Sequence, residues 1–525
     1  MNIALVCTDS DVWGFGTRMM SAVLKRAGHT TRLILLPSES PQYQERTLAQ
    51  ATELAEESDL VGISCYSRGS RRARQVAGHL RARGKPVIWG GLHATLNPEE
   101  CVEAAGLVCR GEGEETIVEL VEALQDGRDW SEIRNLAYGR GGSTVLNPMR
   151  PPIPNLDHLP LLDFERTNEF QLCKDQVSQV SADPNKVEER RLQYIGSRGC
   201  AFRCTYCCNR KINELYAGNG KYLRRMSPTK YVEQLEVLYK QHFPGATDLF
   251  LLDEDFFMRT VPEIQEFAEL YRDRVGLPFD CMASPPRITD EKLRPLVAAG
   301  LWRISLGVES GSERTKKEVF DRPIPNKLVL NASRAIHQHP SVAPCYFFII
   351  GNPYEQEQDL IDTLKLMTGM AYPYYINIYN LVFFPGSELF DRAVRDGIIA
   401  GSRDSGFELH FRAGLKYRDH AWKQKNLYLN GLLFLTEGKV TKRRLGLLPR
   451  GMILFLIRPG VIHFMDRRGF LCRLVIGSKV LLLRARAKVG GVLKKLIGNP
   501  ADAYNLPRFL MNTVKKRFAA QARHS

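Results

Sequence analysis

No stretch of this 525-residue chain approaches the ~18 apolar residues a membrane-spanning helix needs; the best, "GMILFLI" at 451–457, stops at Arg458. The opening residues, "MNIALVCTDSDVWGFG", show no basic segment followed by a long apolar one, so no secretory signal is expected. Cysteine is scarce, 12 residues at irregular spacing, which excludes a disulfide scaffold and points to a reducing, cytoplasmic setting. Internal repeats of 20–50 residues and low-complexity tracts are both missing, which excludes solenoids and long disordered segments. What remains is ordinary for a folded chain: 44% hydrophobic and 25% charged residues, in a length that suits about three domains.

Acidic residues are rare at one end only. Residues 401–525 hold 26 Lys and Arg against 6 Asp and Glu, a net of +20, whereas the rest of the chain has a net of −5. The overall charge of +15 therefore describes an appendage. Within it, residues 471–497 place Leu474, Val475, Leu482, Ala485, Val489, Val492, Leu493 and Leu496 on one side of a helical wheel. Arg473, Arg484, Lys488 and Lys495 gather on the other side. An amphipathic basic helix of this kind suits an anionic membrane surface; packing on the core with a solvated basic face is the competing reading. Basicity without a recognised reading motif gives no reason to expect nucleic acid.

Two series of apolar runs alternate with helical stretches, the mark of an α/β fold with parallel sheets. The first takes in "NIALVCT", "TTRLILLP", "VGISCYS" and "KPVIWGG" and ends near Val145. Residues 146–190, rich in Pro and Asp, read as a linker. The second series has six strand candidates, beginning at 192, 247, 279, 301, 343 and 374, which fits an incomplete barrel over 191–400. Residues 401–525 are expected to be a mainly α-helical basic region.

Chemistry concentrates just after the first of those six strands, in "SRGCAFRCTYCCNR" (197–210). Clustered cysteines in a reducing compartment hold zinc or an iron–sulfur cluster. A closed zinc site would need a second Cys or His pair at a suitable distance, and none is found. Cys200, Cys204 and Cys207 stand in the order Cys-x3-Cys-x2-Cys with the aromatic Tyr206 before the third, whereas Cys208 lies outside that pattern as a small, partly buried side chain.

This stretch resembles the signature of the radical S-adenosylmethionine (SAM) superfamily at every defining position. The resemblance implies a [4Fe-4S] cluster held by Cys200, Cys204 and Cys207, with Tyr206 beside it and one iron left open to chelate SAM. Four further segments agree in order. "DEDF", carrying Asp253, Glu254 and Asp255, resembles the motif that meets SAM's amino group, and "GVESGSE" the ribose-contacting segment with Glu309 and Ser310. Ser310-x-x-Glu313 also reads as a helix capping box, which needs no ligand. "FFIIGNPYEQEQD" resembles the stretch commonly written GxPGET, with Tyr354 and Gln356 as departures, and "FFPGSELF" a turn after the sixth strand. Cys281 and Cys345, on barrel strands, read as core residues with hydrogen-atom donation as the alternative.

Residues 1–145 resemble the Rossmann-like cobalamin-binding domain that precedes many such barrels, on the strength of "VGISCYSR", "VIWGGLHATLNPEE" and "GEGEET". Gly90 and Gly91 would allow a flat ligand close to the backbone. Ser64 would reach the ligand's benzimidazole tail, and His93 is either a ligand contact or a local hydrogen-bonding residue. Where cobalamin-dependent mutases carry Asp-x-His-x-x-Gly, this chain has Asp9-Ser10-Asp11-Val12-Trp13-Gly14, so no protein nitrogen is expected on cobalt. A ligand-free recognition shell is the competing reading of this unit.

The implied activity is methylation of an unactivated carbon through a 5′-deoxyadenosyl radical and methylcobalamin. Alternatives are radical cyclisation, oxidation or rearrangement without methyl transfer, and a non-enzymatic zinc-binding interaction protein. The expected partners are a small-molecule or lipid-like substrate and a reductant such as flavodoxin or ferredoxin. A peripheral contact with the inner face of the membrane would run through the basic helix.

Overall fold

The computed structural model describes residues 1–9, 12–187, 189–402 and 426–468. The basic helix expected at 471–497 lies outside the described residues, as do Ser10 and Asp11. Contacts divide the chain into two units: 1–277 with 316–323 and 381–411, and 278–315 with 324–380 and 412–525.

The first unit opens with β1 (Asn2–Cys7), α1 (Phe15–Arg26), β2 (Thr30–Leu35), α2 (Glu45–Leu54), β3 (Leu60–Ser64), α3 (Ser70–Ala82) and β4 (Val87–Gly90). It continues through α4 (Leu92–Leu96), α5 (Pro98–Ala105), β5 (Gly106–Cys109), α6 (Glu114–Gln125), β6 (Leu136–Arg140) and β7 (Ser143–Leu146). Strands β1–β5 pair in parallel and read as continuous apolar runs because helices cover both faces, and Ile3 through Cys7 are all buried; β6 and β7 add an antiparallel edge. Sheet order is β7-β6-β5-β4-β3-β1-β2, so the direction of winding reverses between β1 and β3, where a crevice opens at the strand ends.

The segment read as a linker is not only that. It supplies β8 (Glu169–Cys173), parallel to β2, and β9 (Gln176–Gln179), which complete a nine-stranded sheet. Two short strands among polar residues leave little periodic trace. They are held by a tertiary contact that composition does not display: buried Glu169 pairs with both terminal nitrogens of buried Arg18, at 2.7 and 2.9 Å.

Still in the first unit, β10 (Arg191–Tyr194) pairs in parallel with β13 (Asp248–Leu251). Between them come a two-residue ribbon, β11 (Ser197–Arg198) with β12 (Arg224–Arg225), α7 (Cys208–Leu215) and α8 (Pro228–Val237). Next is α9 (Val261–Arg274), started by a Thr260/Glu263 capping box.

In the second unit, β14 (Phe279–Ala283), β15 (Leu301–Glu309), β16 (Ala343–Ile350) and β17 (Tyr374–Asn380) run parallel, with α10 (Asp290–Ala298), α11 (Asn326–His337) and α12 (Glu357–Gly369) between them. All six strand segments read from the sequence are strands. After β17 the chain forms α13 (Glu388–Arg395), which belongs to the first unit. The described part of the C-terminal region mixes structure. α14 (Leu427–Leu435), buried from Tyr428 onward, is followed by short antiparallel strands, β18 (Gly438–Val440), β19 (Arg444–Leu445) and β20 (Leu448–Pro449), the first pairing with β17. Two short helices, α15 (Ile453–Leu456) and α16 (Pro459–Asp466), end it. Among the described residues, no helix is long and apolar enough to cross a membrane.

Candidate cofactor site

The cysteine loop leaves β11 through Gly199, whose φ of +89° and close approach to the Tyr222 carbonyl (2.7 Å from where a Cβ would stand) admit only glycine. Thr205 pins the middle of the loop: its N–H donates to the Phe320 carbonyl at 3.0 Å and its hydroxyl to the Val319 carbonyl at 2.6 Å. Tyr206 sets its ring edge-on to Phe320, 4.9 Å between centroids, so this aromatic works as a loop anchor. Cys204 is buried, Cys200 and Cys207 are half-buried, and Cys208 begins α7.

Burial pushes the Cys200 thiol up to about 12 and raises Cys204, which Arg322 opposes. A hydrogen bond with Cys208, then burial, raises Cys207. Among the described residues, no three Cys, His, Asp or Glu side chains stand close enough together to hold an ion as they are. The donor chemistry nevertheless fits an iron–sulfur cluster, because N–H groups already face two of the sulfurs. Arg322 Nη1 donates to Cys204 Sγ and Asn209 Nδ2 to Cys207 Sγ, each at 3.6 Å. Thiolates without such partners would be costly to bury.

Beside this loop lies a cavity of about 370 Å³. One wall is the strand-end rim of the first sheet: Ser64, Gly90, Gly91 and the Gly111–Gly113 turn. The opposite wall comes from β11 and α7, with Arg198, Cys208, Asn209 and Tyr216, and is closed by Tyr222 and Glu254. Glycines make the rim. Gly91 has φ +87° and a Cβ there would stand 2.8 Å from Ser64 Oγ, and at Gly111 it would collide with the Tyr216 hydroxyl at 2.3 Å. An apolar hollow with glycine at its strand-end rim and a few polar groups fits part of a large, flat corrinoid.

Ser64, Gly90 and Gly91 thus line the cavity. His93 does not: it is 1% exposed, shares Nδ1 with Ser67 and Asn97, and sets Nε2 3.7 Å from Glu100. As the second residue of α4 it faces Glu100 on α5, so the local hydrogen-bonding reading holds. Asp9 is also taken up locally. It accepts the Tyr66 N–H, and burial lifts its pKa to about 6.

The three acidic residues after β13 separate. Asp253 is fully buried, accepting from the Tyr231 hydroxyl at 2.6 Å and from Arg259 at 3.4 Å, so it braces the core instead of facing a ligand. Asp255 accepts the Phe257 N–H in the following turn. Glu254 alone reaches the cavity; desolvation raises its pKa, the Asn209 amide counters this, and the Asp253 carboxylate adds to it.

In the second unit, Glu309 ends β15 with φ +68°, an uncommon conformation for a residue with a side chain. Ser310 is buried and donates to Glu355 Oε1 at 3.4 Å. The capping box at Ser310 does not form: Ser312 receives the Thr315 N–H at 3.1 Å, and Glu313 accepts instead from the Asn326 N–H. Glu355 is walled in, and burial followed by the nearby Asp359 carboxylate lifts its pKa to about 8. Cys281 and Cys345 are buried strand residues, as their core reading has it.

Asn209, Tyr216 and Tyr222 escaped the sequence reading. They occupy no recognised motif, and only the fold brings "NELYAGNGKYL" back over the glycine turn at 111–113.

Residues 194–367 match the model of the Radical SAM superfamily, and residues 1–121 that of the B12 binding domain. The chain is 24% identical over 351 residues to an uncharacterized methyltransferase of Pyrococcus horikoshii, covering 65% of this chain and 70% of that protein. It is 27% identical over 363 residues to the anaerobic magnesium-protoporphyrin IX monomethyl ester cyclase of Rubrivivax gelatinosus, covering 66% and 60%. In fold it is similar to the radical S-adenosylmethionine methyltransferase TsrM of Kitasatospora setae, with a TM-score of 0.60 and 16% identity over 75% of this chain and 76% of the other. The chain thus carries a B12 binding domain ahead of a radical SAM domain, and with them the character of a cobalamin-dependent radical SAM enzyme whose cofactors are a [4Fe-4S] cluster, SAM and cobalamin.

Proposed function

We propose that this enzyme methylates an unactivated carbon of a small-molecule or lipid-like substrate. The observation that carries the reading is the single cavity bounded by the B12 domain's strand ends on one side and the cysteine loop's helix on the other. When bound, the cluster and SAM supply a carbon-centred radical and cobalamin supplies a methyl group. Cys200, Cys204 and Cys207 would hold the cluster, Glu254 would meet SAM, and Ser64, Gly90 and Gly91 would seat the corrinoid. Ile88, Leu92, Ile117 and Ile212 on the cavity wall exclude water from that side. A flavodoxin- or ferredoxin-like reductant completes the requirement.

Residues 1–145 are kept as the cobalamin unit, with β8 and β9 added from the 146–190 segment. Residues 191–400 form the radical SAM unit, and 401–525 the C-terminal region. We also place the protein in the cytoplasm, with a peripheral membrane contact through that region. Leu447, Met452, Leu454, Phe455 and Phe464 are exposed there among seven exposed Lys and Arg between 439 and 468.

Cyclisation without methyl transfer is the second reading, favoured by the likeness to the Rubrivivax gelatinosus cyclase. One experiment separates the two. Anaerobically reconstituted full-length protein receives methyl-labelled SAM, a reductant and a small-molecule extract. Methyl transfer expects labelled product, with S-adenosylhomocysteine and 5′-deoxyadenosine formed together. Turnover yielding 5′-deoxyadenosine and no labelled product overturns it.

A further inference from the structure

The side chain of Asn209, the second residue of α7, is 7% exposed and fully committed. Its amide N–H faces the sulfur of Cys207 at 3.6 Å, and the same amide offsets the rise that burial imposes on the Glu254 carboxyl. Its carbonyl oxygen accepts the Tyr222 hydroxyl at 2.6 Å. An amide offers donors at one end and an acceptor at the other, so its partners together set which end meets the sulfur. Here the Tyr222 hydroxyl donates to the oxygen, and that bond holds the NH2 end toward Cys207.

Tyr222 is held in turn. Its ring stacks on Tyr216, 6.0 Å between centroids at 18°, and the Tyr216 hydroxyl accepts the Glu112 N–H at 2.9 Å. A continuous path therefore runs from the glycine turn of the B12 domain, through two tyrosines and one amide, to a cysteine sulfur.

We infer that Asn209 is a positioning residue for the iron–sulfur cluster: with Tyr222 fixing its orientation, its N–H polarises the Cys207 sulfur and sets the cluster's reduction potential. The inference rests on the assignment of Cys207 as a cluster ligand. Reduction adds negative charge to the cluster and its sulfurs, and an N–H aimed at sulfur stabilises that added charge. Losing the donor therefore makes the potential more negative. Freeing the amide to move does so too, to a smaller extent, since an unanchored N–H points at the sulfur less of the time.

The test reconstitutes the full chain anaerobically with iron and sulfide, as wild type, Asn209→Leu, Tyr222→Phe and the double variant. Iron is counted, and the midpoint potential is read by EPR-monitored titration. We expect about four irons per chain throughout and a negative shift in both single variants, the larger in Asn209→Leu. The double variant should shift no further than Asn209→Leu, because the tyrosine acts only through the amide. Equal potentials at equal iron content would overturn the inference and leave Asn209 as packing. Should Asn209→Leu fail to keep iron, Tyr222→Phe decides alone, since it lies well outside the ligand loop. A wild-type protein that takes up no iron would overturn the cluster assignment itself, a distinct result.

Discussion

Glu112, in the glycine turn after β5, grips the guanidinium of Arg224 on β12 with both carboxylate oxygens, one contact at 3.0 Å. Arg198 adds a second cation 3.3 Å away. Burial raises the Glu112 pKa, but the Arg224 hydrogen bond and the Arg198 charge outweigh it, so the group ends below the usual carboxylate range. A depressed folded pKa contributes stability above the ordinary Glu range, and that stability is lost as pH falls through the lowered value. Arg224→Met should cost about 3 kcal/mol at neutral pH, the low end for breaking a buried pair because Arg198 remains. Adding Glu112→Gln should recover part of the loss. Urea midpoints at pH 7 and pH 4 check this; a wild type and an Arg224→Met variant of equal stability at pH 7 would refute it.

Glu355 should behave with the opposite sign. Its pKa is lifted to about 8 by burial and by Asp359, so the folded state holds a proton that the unfolded state has already released. Stability from this group is full below the ordinary Glu value and declines as pH rises toward 8. Glu355→Gln removes the penalty while keeping shape, so the variant should match wild type near pH 4 and exceed it near pH 8. Thermal midpoints at those two pH values give the answer, and parallel pH profiles would show that Glu355 is not the source.

The strands and the cysteine loop were legible because their signals are local: apolar runs of strand length, and a spacing whose residues all sit on one loop. Ser64, Gly90 and Gly91 were legible for the same reason, lying at the ends of their own strands. Asp253 and His93 misled because a short motif marks a position and not a direction. Asp253 turns into the core to meet Arg259, six residues on, and His93 turns toward Glu100. Asn209, Tyr216 and Tyr222 were illegible because their roles depend on an Asn209–Tyr222 contact thirteen residues apart across a loop and on the contact of Tyr216 with residue 112. The linker reading overlooked β8 because its anchor, Arg18 with Glu169, joins residues 151 positions apart.

Four neighbouring cysteines invite a test of which three matter. Cys208 begins α7 and lines the cavity, whereas Cys204 and Cys207 have N–H donors aimed at their sulfurs. Ser replacements at Cys200, Cys204 or Cys207 should each lose most of the iron after desalting. Cys208→Ser should keep the wild-type content and the cluster's visible absorption. Loss of iron in Cys208→Ser with retention in Cys207→Ser would reassign the third ligand.

The described end of the C-terminal region carries a second, independent expectation. Met452, Leu454 and Phe455 are exposed at α15, with Phe464 on the next helix, while Lys442, Arg443, Arg444, Arg458, Arg467 and Arg468 are exposed nearby in sequence. Apolar side chains of this size are costly in water, and five of them within eighteen residues (447–464) indicate a surface that is covered in use. The surrounding positive charge favours an anionic lipid surface, each basic side chain contributing about 1 kcal/mol near it. Full-length protein should therefore sediment with vesicles containing phosphatidylglycerol and far less with pure phosphatidylcholine, and added salt should release it. Leu454→Gln with Phe455→Gln changes only exposed positions and so should leave folding intact while weakening vesicle binding at least tenfold. Binding unchanged by that double variant would move the contact elsewhere in the chain, and no binding to either vesicle would remove the membrane from the account.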